Sequence, residues 1–203
     1  MQSMPFFGII AISATFVVTL GEIDLSFPSI VGITSLIFGI IMTSTDGNFF
    51  IAFILATSLG MFAGLVNGLL VTKIGIPSIV ATIGTLFFWR GLVNVISQGS
   101  GIAIVDVADG TWHHMIFVEK LFGKIPMQFI WFIVLTGLMQ WVYRYHKFGN
   151  HIHFVGDNKA SAQMMGINVD NVKIIAFVQL GFFSALAGIF TMYEMLYFWP
   201  TQG

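Results

Sequence analysis

The stretch YRYHKFGNHIHFVGDNKASAQMMGINVDNVK, residues 143–173, decides how this chain is read, because it is one long polar insert in a sequence otherwise built from apolar runs. Four of the eight Lys and Arg residues, Arg144, Lys147, Lys159 and Lys173, fall inside it. Its centre predicts a short helix with a cap at each end. Asp157 or Asn158 supplies a side-chain acceptor for a free backbone N–H at the start, and Gly166 takes the left-handed conformation that stops the helix. About eight residues between the caps give ~12 Å of helix. Ala160, Met164 and Ile167 fall at i, i+4 and i+7, which predicts one apolar face suited to docking. A solvated linker needs neither the caps nor that face.

Outward from the insert the composition names the solvent. The chain of 203 residues is 57% hydrophobic and 8% charged, with a mean hydropathy of +0.91. So few charges cannot cover the surface of a soluble domain, and the chain is read as a membrane protein. Apolar segments can be drawn at 5–20, 27–43, 49–72, 77–97, 127–143 and 174–198, which is room for about six spans of roughly 20 residues. The expected fold is all-α, a polytopic membrane helix bundle forming a single transmembrane domain over 1–203, with the polar segment at 144–173 and a loop at 98–126. A net charge of −1 presents no basic surface for nucleic acid. The absence of cysteine excludes disulfides, cysteine zinc sites and iron–sulfur clusters. The first apolar run has no basic region before it and ends in GEIDLS instead of a small-residue cleavage site, so it reads as part of the protein and not as a signal peptide.

Charge sets the orientation. Lys73 follows the third segment and the basic insert follows the fifth, whereas STDGN at 44–48 carries an acid and no base. Positive charge marks the cytoplasmic side, so Lys73 and the insert are expected inside and Asp46 outside. Alternation then places 98–126 outside, where Asp106, Asp109 and Glu119 accompany Lys120 and Lys124. The amino terminus comes out on the exterior, which leads us to expect a span preceding this chain. Trp131, Trp141, Tyr143 and Tyr145 flank the fifth segment, and Tyr193, Tyr197 and Trp199 the outer end of the sixth, where amphipathic rings favour the headgroup layer. Gly60, Gly64 and Gly68 make a strip without side chains against which another helix can pack closely. Asn67 beside that strip reads as an interhelical hydrogen bond in preference to a ligand contact.

At 21–29, GEIDLSFPS interrupts two apolar runs with a glycine, two acids and a proline. Backbone that leaves helical geometry near membrane depth needs protein or a water-filled cavity to satisfy it, so the break is expected to line a path or a buried interface. Glu22 and Asp24, two residues apart, do not share a helix face; one is free to cap the next helix. Arg90 is a charge well inside the fourth segment and needs a partner: Asp24, Glu22 or carbonyls of the break. Glu22, Asp24 and Arg90 are the candidate pathway or gate residues, and a self-sufficient secondary transporter or channel would use them as an ion site. His146, His151 and His153, and His113 beside His114, lack metal-ligand spacing, so no metal is expected. The sequence contains no GxxxxGKS/T, GxSxG or HExxH motif, so no catalytic residue is assigned and neither an intramembrane enzyme nor an ATPase is favoured.

These motifs resemble the permease subunits of bacterial ATP-binding-cassette importers for simple sugars, the ribose, galactose, xylose and autoinducer-2 type. GEIDLSFPS at 21–29 is similar to that family's GGIDLSVGS. GLVNGLLVTKIGIPSIVATIGT at 64–85 with RGL at 90–92, FVGDNKASAQMMGINVDNVKI at 154–174 and GFFSALAG at 181–188 follow in the family's order. The resemblance implies a cytoplasmic coupling helix over Asp157–Ile167 that inserts into a groove on a separate ATPase subunit, and no cofactor in the permease itself. It also implies a second permease subunit, the same or different, an extracytoplasmic sugar-binding protein and an inner-membrane, multi-pass location. Departures from the family pattern are Glu22 in place of its second glycine, Phe27 and Pro28 in place of Val and Gly, and Asn150 where a basic residue is common. The family carries further spans at both ends, so the chain is expected to be a truncated form of that fold.

Overall fold

The structure, a computed structural model, describes residues 4–121, 123 and 125–202. Lys124, used above for orientation, lies outside them. The main helices are α1 (Met4–Thr19), α2 (Phe27–Ser44), α3 (Phe49–Leu69, continued by a π-helical turn Leu70–Ile74) and α4 (Ser78–Ser97). After a connection holding α5 (Val105–Ala108) and α6 (Trp112–Val118) come α7 (Met127–Tyr145), α8 (Lys147–Asp157), α9 (Lys159–Met164) and α10 (Val169–Met195). Two-residue strands β1 (Ile102–Ala103) and β4 (Tyr197–Phe198) pair antiparallel, as do β2 (Lys120–Leu121) and β3 (Ile125–Pro126). These ladders tidy loops and leave the fold all-α.

Every expected apolar segment is a helix, and the six segments expected to span compare with a smaller set that meets the length and apolarity of a span. Among the described residues four helices are long and apolar enough to cross a membrane: α2, α3 with its π turn, α4 and α10. The described part of α1 is 16 residues, short of the usual spanning length, and α7 spreads Gln128, Gln140, Trp141 and Arg144 among its apolar residues.

Long α10 is the axis, packed against α3, α2 and α1. Its seam with α3 is the glycine strip. A Cβ on Gly60 would lie 2.5 Å from the Gly181 carbonyl oxygen, one on Gly64 would overlap the Phe177 carbonyl, and one on Gly68 would lie 2.9 Å from the Ile174 Cα. Because lipid is as apolar as a leucine side chain, close backbone approach and dispersion hold such helices together. One core cluster joins Phe16, Ile152, Val155, Phe177 and Phe190; another joins Phe38, Met42, Trp89, Tyr193 and Phe198. Phe50, Ile54, Val80, Phe87 and Ile133 stay exposed, which suits helices facing hydrocarbon.

Element ends sort into two groups as alternation requires. Lys73 pairs with Asp170 at 2.7 Å, and Glu22 meets Lys159 and Lys173, so the 20–26 break, the turn after α3 and α8–α9 share one basic end. At the other end Gly47 lies against Val107, where a Cβ would stand 2.9 Å from the Val107 carbonyl oxygen.

Candidate functional site at the basic end

The insert folds as two helices. The first, α8, escaped the sequence reading, since Lys147, Asn150, His151 and His153 dilute its apolar period. Gly149, Ile152 and Val155 nevertheless turn inward, and Gly156 rests on the Thr19 carbonyl at the end of α1. The His146 Nδ1 accepts the Phe148 N–H at 3.2 Å and starts the helix.

Of the two candidate caps for the following helix, Asn158 is the one used: its Oδ1 accepts the Ser161 N–H at 3.0 Å. Asp157 instead ends α8. Gly166, at φ +80°, supplies the left-handed stop. The Ile167 N–H bonds the Ala162 carbonyl at 3.0 Å and the Gly166 N–H bonds Gln163 at 2.9 Å, the paired closure that satisfies carbonyls at a helix C-terminus. The helix is six residues and not about eight. So short an element cannot carry an i, i+7 stripe, and the expected Ala160, Met164, Ile167 face does not form. Ala162 is the residue turned inward, Ile167 lies past the stop and packs on the core, and Ala160 remains exposed beside it. Met164 is 88% exposed and Met165 61%, so the outward apolar surface is a methionine pair at the helix end.

Beside α9 lies the GEIDLS break, nonhelical from 20 to 26. Its backbone is satisfied by neighbouring helices: Ile23 N–H donates to Ser78 Oγ and Leu25 N–H to Thr82 Oγ1, both at 3.1 Å, on α4. Asp24 Oδ1 accepts the Ser26 N–H and hydroxyl, each at 2.7 Å. Asn67 on α3 donates to Asp24 Oδ2 at 3.0 Å and to Ser26 Oγ at 2.7 Å, while Thr85 on α4 donates to Asn67 Oδ1 at 2.7 Å. The interhelical role expected of Asn67 is therefore present. Glu22 points the other way. Its Oε1 accepts a hydrogen bond from Lys173 on α10, with Lys159 of α9 at 3.9 Å. The Lys173 ammonium presses the Lys159 amine below the usual lysine range.

Arg90 serves a different set of partners. Its Nη1 donates to the carbonyls of Pro200 at 3.2 Å and Gln202 at 2.9 Å. Backbone carbonyls were among the expected partners, but these belong to the segment after α10 and not to the break. The structure thus gives each of Glu22, Asp24 and Arg90 its own role in joining elements. Near α6, His113 stacks on Phe49 with centroids 5.4 Å apart, its Nδ1 2.9 Å from the Tyr193 and Thr111 hydroxyls, and burial lowers its pKa from the ordinary 6.5. Among the described residues no group of His, Asp and Glu is arranged to hold a metal ion.

The family model described as branched-chain amino acid transport system / permease component matches residues 1–202. The chain belongs to this family. Its relatives include the autoinducer 2 import system permease protein LsrC of Photorhabdus luminescens, 33% identical over 186 residues, covering 89% of this chain and 53% of that protein. The LsrC of Yersinia pseudotuberculosis serotype O:3 (strain YPIII) is 34% identical over 181 residues, covering 89% of this chain and 50% of that one. The chain spans about half the length of the curated relatives it matches. No solved structure matches it. Membership bears out the resemblance read from the motifs, and the family's description is that of a transport component, not of an enzyme.

Proposed function

We propose that this chain is permease from an ATP-driven importer of a small sugar-like solute in the bacterial inner membrane, with its basic end in the cytoplasm and α9 as the helix that docks on a separate ATPase subunit. The observation that carries the reading is the capped α9, whose Met164 and Met165 stand out from the bundle while Ala162 faces inward. Its relatives, named as autoinducer 2 import permeases, favour a sugar-like cargo, and the importer we propose would add an extracytoplasmic binding protein that delivers it and a second permease subunit. Closure of the ATPase dimer around ATP would push α9, and α9 leads through Gly166–Asn168 directly into α10, the axis of the bundle. Such a lever requires a firm seat, which the Asn158 and Gly166 caps provide. The methionine side chain is flexible and polarizable and suits a docking knob that must fill an apolar groove.

The test is capture of a co-expressed importer ATPase subunit by the purified permease. Met164→Asp forces a charge into the docking face and is expected to abolish capture at unchanged folded yield; full capture by that variant contradicts the docking face. The competing reading of a gradient-driven transporter centred on Glu22, Asp24 and Arg90 finds these groups committed to Lys173, Asn67 and backbone carbonyls. It predicts uptake by liposomes holding the chain alone with an ion gradient, where we expect none.

A further inference from the structure

Glu22, in the break between α1 and α2, is paired with Lys173 on α10. The carboxylate is nearly buried, its side chain 11% exposed, and so is the Lys173 ammonium at 10%. A buried carboxylate and a buried ammonium are each costly alone and tolerated as a hydrogen-bonded pair. Lys173 lies in the second turn of α10, six residues after Ile167 where α9 is seated on the core, and Lys159 in the first turn of α9 approaches the same oxygen. On its other side the segment carrying Glu22 is bonded to α4 through Ser78 and Thr82 and to α3 through Asn67. The break therefore sits between the helix pair that would receive a push and two of the spans that would have to move.

We propose that Glu22 is a positioning residue, a charged pin that fixes the inner end of α10, and with it α9, to the break and so to α4, beside the direct tie to α3 made by the Lys73–Asp170 ion pair and the glycine seam. The inference rests on the docking role assigned to α9, but its first test does not. Of the two lysines, Lys173 makes the bond and Lys159 stands by at 58% exposure. Ser78 and Thr82 continue the connection on the far side, so that displacement at α9 is carried to α4 through a segment with no helical slack of its own.

The chain contains no cysteine, so a pair of spin labels placed at Ser161→Cys on α9 and Ile79→Cys on α4 measures the joint in the full chain in detergent. The pin predicts one narrow distance distribution. Glu22→Gln strands a buried ammonium, so Glu22→Gln/Lys173→Met, which removes both charges together, is the decisive variant. In it the distribution is expected to broaden about twofold or more at unchanged helix content, since local order depends on tertiary ties. Lys173→Arg keeps the charge and should restore the narrow distribution. Equal widths in parent and double variant overturn the inference, and failure of the double variant to fold overturns it too, by assigning the pair to stability alone. In the assembled complex the same double variant should capture the ATPase normally while solute moved per ATP hydrolysed falls by about fivefold or more, against undiminished stoichiometry if Glu22 transmits nothing. Failure of the parent chain to capture the ATPase would instead count against the docking role and leave the spin-label result standing.

Discussion

A single buried amide organises the centre of the break. Asn67 donates to both Asp24 and Ser26 and accepts from Thr85, using three of its hydrogen-bonding positions across three elements. Asn67→Leu leaves the Asp24 carboxyl and the Ser26 hydroxyl without that donor, and stranding buried polar groups costs about 1–3 kcal/mol. The midpoint of chemical unfolding in detergent should drop accordingly, with Asn67→Gln intermediate. Histidine supplies a pH prediction at the same scale. Burial holds His113 below its ordinary value of 6.5, so the unfolded chain takes up a proton at that pH while the folded chain resists. The stability contributed by the neutral ring is present above 6.5 and is lost as pH falls below it, levelling off once the folded ring also protonates. The melting midpoint followed downward from neutral pH should show this slope, and His113→Gln should flatten it. None of these partnerships was readable from the chain, because Asp24 and Asn67 are 43 residues apart and Glu22 and Lys173 are 151 apart. Sequence showed only that the break needed partners.

Elements were readable where a period or a cap declared them. The apolar runs marked six helices to within a few residues, and Asp157 or Asn158 with Gly166 marked α9, the structure choosing Asn158. The reading failed where polar residues belong to a helix: α8 was taken as part of one insert, and α10 begins at Val169, five residues before the expected 174, because its polar first turn is capped by Asn168 accepting from Asn171. Packing between elements yields a further prediction. Gly64→Ala places a methyl against the Phe177 backbone, and backbone cannot swing aside as a side chain can. Overpacking of this kind costs about 1–3 kcal/mol. Thermal melting in detergent should show the loss, while Gly84→Ala on α4, where a Cβ meets nothing within 4 Å, should match the parent or exceed it slightly.

Seen whole, the molecule has an axial helix, α10, with the short α9 at its basic end and the nonhelical break beside it. Arg90 ties α4 to the carbonyls of 200 and 202, so Arg90→Leu should reduce folded yield before it alters any transport property; normal yield with lost transport would favour a pathway role for the guanidinium. The central claim is that α9 touches an ATPase from the cytoplasmic side. Its most direct measurement is cross-linking through Met164→Cys in the cysteine-free chain, co-expressed in membranes with the importer's ATPase subunit. A thiol-reactive cross-linker is predicted to join the two proteins, and a membrane-impermeant thiol reagent to label that position only in inside-out vesicles. Labelling in right-side-out vesicles, or no cross-link to the ATPase while one forms from a control position elsewhere on the basic end, would contradict it.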